Sequence, residues 1–163
     1  MIRPTAIINL QNLKENIRYI KSILNDNALI MPVIKANAYG HGYVRVAEIL
    51  QKEDVKYVCV ATIDEVIELL NLDLGFKILH LGKLSIEHME IYSNKNVIST
   101  INAKQDIEFF AKNKNIRFNG HLKIDTGMNR MGCSLSEADS ILELVKDYSN
   151  INIKGIKGKG NKC

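Results

Sequence analysis

The chain has 163 residues, 46% of them hydrophobic and 25% charged, enough for one ordinary buried core but too few for two complete domains. Its formal charge of +4 belongs to the tail, because residues 151–163 hold Lys154, Lys157, Lys159 and Lys162 and no acid, which leaves the body neutral on balance. A neutral body without arginine clusters argues against a nucleic-acid partner. The cysteines Cys59, Cys133 and Cys163 are odd in number and lack C-x-x-C pairing, so neither a disulfide framework nor a zinc site is indicated and a reduced, cytoplasmic setting fits. His41, His80, His88 and His121 are scattered without ligand spacing, so no metal is expected. The N-terminus lacks the apolar segment of a signal peptide, and no stretch approaches the length of a membrane span.

Taken in chain order, short apolar strands alternate with amphipathic helices. A first strand is expected at residues 6–10, then a helix over 11–24 with Leu13, Ile17, Ile20 and Leu24 on one face. A strand over 29–35 leads to a helix over 43–52, and a strand over 56–61 to a helix over 63–70 that opens with the capping-box pair Thr62 and Glu65. Strand 77–81 precedes helix 86–92, and strand 97–101 precedes helix 103–112. Strand 121–125 is followed by a glycine loop, then by Ser134 and Glu137, a second capping box, ahead of a helix over 137–148; residues 151–156 begin one more strand. This alternation predicts a parallel sheet with helical crossovers, either a doubly wound open sheet or a barrel.

The most informative string is Val33-Ile34-Lys35-Ala36-Asn37-Ala38-Tyr39-Gly40-His41-Gly42. Lys35 is the first residue to break an apolar run read as a strand covered on both faces. Position alone also describes a lysine that snorkels to water and does nothing. Where apolar walls meet solvent, however, desolvation disfavours the ammonium and frees amine for Schiff-base chemistry or proton abstraction. Tyr39 offers a phenol to the same pocket, and Gly40 and Gly42 let the backbone turn sharply towards a ligand. The string closely resembles the signature of the cofactor lysine in alanine racemases, pyridoxal phosphate enzymes built on a barrel of alternating strands and helices.

A second stretch runs His121-Leu122-Lys123-Ile124-Asp125-Thr126-Gly127-Met128-Asn129-Arg130-Met131-Gly132. By itself it describes a strand whose polar residues 121, 123 and 125 share one face, followed by a glycine turn. Three inward polar positions are costly to bury unless paired. On a barrel, Lys123 projecting toward Arg130 would make a cationic pocket, and an arginine fork matches the two oxygens of a carboxylate. This stretch, too, resembles the alanine racemase pattern.

The resemblance implies an α/β fold, an incomplete (β/α)8 TIM-type barrel with about five to six of its eight strands, over residues 1–156. It is short of the roughly 250 residues of a whole barrel, and the family's C-terminal β domain has no counterpart here. By the same resemblance Lys35 is catalytic and holds pyridoxal 5'-phosphate, Tyr39 hydrogen-bonds its phosphate, Arg130 contacts the substrate carboxylate, and Lys123 matches a lysine that is carbamylated in many members. The implied enzyme is an isomerase that interconverts L-alanine and D-alanine, supplies D-alanine for peptidoglycan and works as a homodimer, without nucleic acid or membrane. Residues 157–163 read as a low-complexity basic tail outside the pattern. The second catalytic base lies in the missing part, so a truncated chain inactive by itself is the expectation. The alternatives are a pyridoxal-phosphate carrier barrel or an inactive remnant.

Overall fold

The computed structural model describes residues 5–25 and 27–158. Their strands, β1 (Tyr57–Val60), β2 (Lys77–His80), β3 (Val97–Ile101), β4 (Phe118–Lys123) and β5 (Ile151–Lys157), follow one another in that order in the sheet, and the chain divides into two compact units, Met1–Ile78 and Leu79–Cys163, the division falling within β2.

In the first unit, α1 (Leu10–Ile23) starts where the Asn9 side chain accepts the N–H groups of Gln11 and Asn12 at 3.0 and 3.1 Å. That cap overturns the strand expected at 6–10: an asparagine that satisfies the first helical N–H groups commits the chain to a helix, and no neighbour pairs with residues 5–9. The expected apolar face of α1 is only partly covered. Ile17 is buried, while Ile20 and Leu24 are 43% and 37% exposed. Polar contacts tie the helix to the end of α3 (Tyr43–Lys52), with Arg18 donating to both oxygens of Glu53 at 2.8 and 3.0 Å.

The lysine-bearing segment also departs from expectation. Instead of a strand over 29–35, the backbone makes a single parallel bridge, Val33 to Cys59, through Ile34 N–H to Cys59 O at 2.9 Å and Cys59 N–H to Pro32 O at 2.8 Å. Pro32 has no N–H to extend the ladder, and the chain turns immediately after Ile34. Nor is the run covered on both faces, since Leu29 is 68% exposed. β1 (Tyr57–Val60) fits the expectation better, with Val58, Cys59 and Val60 all buried. After it, α4 (Ile63–Asn71) opens with the expected capping box of Thr62 and Glu65 and buries Val66 and Leu69.

In the second unit, α5 (Met89–Tyr92) follows a short 3-10 turn, Ile86–His88, where one continuous helix was expected. β3 (Val97–Ile101) is buried at every position, and α6 (Lys104–Ala111) packs Ile107 and Phe110 inward. β4 (Phe118–Lys123) starts three residues before the expected strand, and buried residues alternate with half-buried ones along it. It pairs in parallel with β3 (Thr100 opposite His121) and with β5 (Ile151–Lys157), where Lys123 stands opposite Lys157. Gly120 is required by space: a Cβ there would lie 2.4 Å from Ile101 Cδ1. Phe110 and Phe118 centre this core with ring centroids 4.2 Å apart. α7 (Leu135–Val145) opens with the second capping box, Ser134 and Glu137. Asn150, buried, donates its amide to the carbonyls of Phe110, Asn113 and Ile116 at 3.1–3.2 Å and so closes the end of α6. The expected tail lies outside the described residues from 159 onward. Among the described residues, no helix is long and apolar enough to cross a membrane.

Candidate active site

In the first unit the chain leaves Ile34 and enters a single tight turn, α2 (Lys35–Tyr39), that winds the wrong way. Ala36, Asn37, Ala38 and Tyr39 have φ of 50, 54, 54 and 54°, the left-handed region that costs a residue with a Cβ roughly 1–2 kcal/mol. Such a run persists only where its surroundings over-determine it. Ala38 N–H donates to Ile34 O at 2.9 Å, Gly40 N–H to Ala36 O at 3.1 Å and Gly42 N–H to Asn37 O at 3.0 Å. The Asn37 side chain accepts Tyr43 N–H at 2.9 Å, locking the turn to the start of α3. Gly40 and Gly42 continue with φ of 85 and 86°.

One anchor comes from far away in sequence. Glu65 Oε1 accepts Ala36 N–H at 2.5 Å, while Oε2 accepts Ala61 N–H at 2.8 Å and Thr62 N–H at 3.1 Å. Burial pushes the Glu65 carboxyl up, but the donors of Ala61, Ala36 and Thr62 together outweigh it and hold the group below the usual carboxylate range. Hydrogen bonds to a charged acceptor contribute about 1.5–3 kcal/mol each when desolvated, and less at this partly exposed position. Sequence reasoning saw Glu65 only as a helix cap; nothing in its spacing signals the contact to Ala36.

Lys35 is half-buried, and no carboxylate among the described residues pairs with it. Tyr39 is 59% exposed. A cleft of about 400 Å3 is lined by Asn37, Tyr43, Glu65, Glu68 and apolar neighbours, but by neither Lys35 nor Tyr39. Burial pushes the Tyr43 phenol up, and the carboxylate of Glu68, to which it is hydrogen-bonded, pushes it further. The cleft therefore adjoins the turn at Asn37 without including the amine or the exposed phenol. An unpaired amine with a phenol and two glycines close by in the chain is a donor set suited to an aldehyde that carries a phosphate.

In the second unit, β4 presents His121 and Lys123 on its half-buried face. Burial, with Lys157 nearby, pushes the His121 imidazole below its usual value, and Gly155 packs against it, with a notional Cβ 3.2 Å from Nε2. Lys123 Nζ donates to Ile124 O at 2.8 Å. Asp125 does not continue the polar face of a strand. Its Oδ1 accepts the N–H groups of Gly127, Met128 and Asn129 at 3.0–3.1 Å, and these donors, Asn129 first, hold its carboxyl low. The Asp-x-Gly spacing is the signal from which this self-capping turn was legible. Arg130 is exposed beyond it, with no carboxylate among the described residues paired to it. Gly132, at φ 111°, seats the loop against Lys123: a Cβ there would fall 2.8 Å from both Lys123 Cγ and Lys123 O. The structure thus puts Lys35 and Tyr39 on one turn of the first unit, and Lys123 and Arg130 on one strand and loop of the second.

Parallel strands joined by helices, with a lysine on a tight turn just beyond the sheet, define a partial α/β barrel. Residues 8–157 match the family model of the alanine racemase N-terminal domain, and the chain belongs to that family. It is 38% identical over 155 residues to the alanine racemase of Fusobacterium nucleatum, covering 95% of this chain and 43% of that protein. The Treponema denticola alanine racemase is 39% identical, over 93% of this chain and 41% of the relative. Among solved structures, the E. faecalis alanine racemase superposes with a TM-score of 0.88 at 27% identity, over 95% of this chain and 43% of that one. An alanine racemase from Clostridium difficile 630 gives 0.85 at 35% identity, over 95% and 44%. The chain therefore spans less than half the length of the relatives it matches.

Proposed function

We propose that this chain carries the cofactor-lysine half of a pyridoxal-phosphate-dependent alanine racemase, with Lys35 as the attachment point. The observation that carries this is Lys35 itself: a half-buried amine without an ion-pair partner among the described residues, on a left-handed turn anchored at both ends. The names of the relatives point the same way, and one solved relative, from Bacillus anthracis, is described with bound L-Ala-P.

When bound, pyridoxal phosphate supplies the electron sink that makes the α-proton of an amino acid labile. The chain's own residues supply the rest. Lys35 Nζ would hold the cofactor, and its amine would exchange a proton with the substrate Cα from one face. The exposed Tyr39 phenol donates to the phosphate. Arg130, exposed on its loop, would take the substrate carboxylate with its forked N–H donors. Carbamylation of Lys123 would join its deprotonated amine to carbon dioxide, two protons leaving in all from the ammonium, and the resulting anion would accept from Arg130 instead of donating to Ile124 O. Racemisation also needs a donor on the opposite face, which none of these residues provides. We therefore assign cofactor attachment to this chain and alanine racemisation to the whole family protein, a cytoplasmic homodimer that supplies D-alanine to the cell wall.

The experiment is to add pyridoxal phosphate to the purified chain, reduce with borohydride and map the modified peptide by mass spectrometry. Modification at Lys35, absent from a Lys35→Ala variant, is the expected outcome. Modification spread evenly over exposed lysines overturns the assignment.

A further inference from the structure

Among the described residues, three helices carry an acidic side chain in the first turn that caps them, and the three differ in one respect. Before α6, Asp106 Oδ2 accepts Asn102 N–H at 2.6 Å and Ala103 N–H at 3.2 Å. Before α7, Glu137 Oε2 accepts Ser134 N–H at 2.8 Å. Before α4, Glu65 Oε2 does the same for Ala61 and Thr62, but its second oxygen reaches back 29 residues to Ala36 N–H. Ala36 directly follows Lys35 and is the first residue of the chain's left-handed run.

That N–H sits at the start of the turn, where no backbone carbonyl of the turn can reach it. The peptide unit joining Lys35 to Ala36 is planar, so fixing the N–H of Ala36 also fixes the carbonyl of Lys35 and the rotation about its Cα–C bond. We propose that Glu65 is a positioning residue for Lys35: by holding Ala36 N–H to the end of β1 and the start of α4, it sets the direction in which the lysine side chain leaves the backbone. The proposal rests on Lys35 being the attachment point. Its chemistry requires a carboxylate, because one oxygen must face the sheet end while the other faces the turn. A glutamine has a single acceptor oxygen and can serve only one of the two.

The test compares Glu65→Gln and Glu65→Asp with Asp106→Ala, which removes the acidic cap of α6. Two readouts are taken on the full chain: amide exchange of residues 35–42 without cofactor, and the concentration of pyridoxal phosphate that half-saturates borohydride-trapped modification of Lys35. The Glu65 variants are expected to exchange these amides about tenfold faster and to need about tenfold more cofactor, while Asp106→Ala leaves both unchanged at a comparable loss of thermal stability. If Glu65→Gln fails to fold, Glu65→Asp carries the comparison, its shorter arm keeping the helix cap and withdrawing from Ala36. Unchanged exchange at residues 35–42 overturns the proposal. So does faster exchange with unchanged half-saturation, which would make Glu65 a loop clamp only. A wild-type chain that gives no Lys35 adduct overturns the attachment reading itself, and the positioning role with it, by a separate observation.

Discussion

The lysine turn at 35–42 and the arginine loop at 125–132 both rely on left-handed backbone, with glycines at φ 85 and 86° in one and 108 and 111° in the other, yet their carboxylate anchors have different origins. The lysine turn is held by Glu65, 29 residues away, which ties it to the end of β1. The arginine loop is held by its own first residue, Asp125, whose side chain collects three N–H groups within four positions. The Glu65 carboxylate therefore registers its turn against the end of β1, whereas the Asp125 carboxylate shapes its loop from within and the seat on β4 is left to Gly132, packed against Lys123.

The sharpest way to break this comparison is to remove the chemical group from each loop. Lys35→Ala is expected to abolish borohydride-trapped attachment while leaving the thermal midpoint nearly unchanged. Arg130→Ala should leave attachment intact and weaken alanine's displacement of the bound cofactor signal by about tenfold to a hundredfold, the worth of a charge-assisted fork. Attachment lost in both variants would mean that the loops do not divide the work.

Glycine substitutions probe the frames. Gly132→Ala meets Lys123 Cγ and O at 2.8 Å, so strained backbone and overpacking add, each about 1–3 kcal/mol. Gly40→Ala has nothing within 4 Å of the added methyl and carries only the left-handed term, about 1–2 kcal/mol. Chemical denaturation should rank them in that order. Equal losses would show that the arginine loop yields more readily than its packing implies.

Asn150→Ala should cost about 1–3 kcal/mol through the three carbonyls it strands at the end of α6. Amide exchange in both loops should remain unchanged, because Asn150 touches neither. Accelerated exchange at 125–132 would show that the arginine loop depends on that core.

The smallest effect is acid sensitivity. Glu65 and Asp125 are both held below the ordinary carboxylate range, so each contributes stability that is present above the unfolded value of about 4 and fades as pH falls through the lower folded value. Amide protection in both loops should therefore be flat near neutrality and decline only below about pH 4. Asp125→Asn should flatten the arginine-loop profile and leave the lysine-turn profile as it was. A change in both would mean that the anchors are coupled.

Much of the fold was legible because its signals are local. The bounds expected for α3 and β3 match the structure, as do the capping pairs Thr62 with Glu65 and Ser134 with Glu137, since periodicity and side-chain caps act within a few residues. The failures share a cause. Residues 6–10 and 29–35 have strand-like composition, but a strand exists only through its partner. Asn9 instead capped a helix, and Pro32 left room for one bridge to Cys59. The left-handed turn was foreshadowed by Gly40 and Gly42, yet no propensity places Ala36, Asn37, Ala38 and Tyr39 there in succession.

The amino-acid sequence by itself determined the alternation of strand and helix, the family and the residue types offered for chemistry: an amine at 35, a phenol at 39, an ammonium at 123 and a guanidinium at 130. Tertiary structure alone decided how the amine is held. A carboxylate that reads locally as a helix cap becomes the anchor of the lysine turn because folding brings Ala36 N–H within 2.5 Å of its second oxygen, and a contact across 29 residues leaves no trace in local pattern.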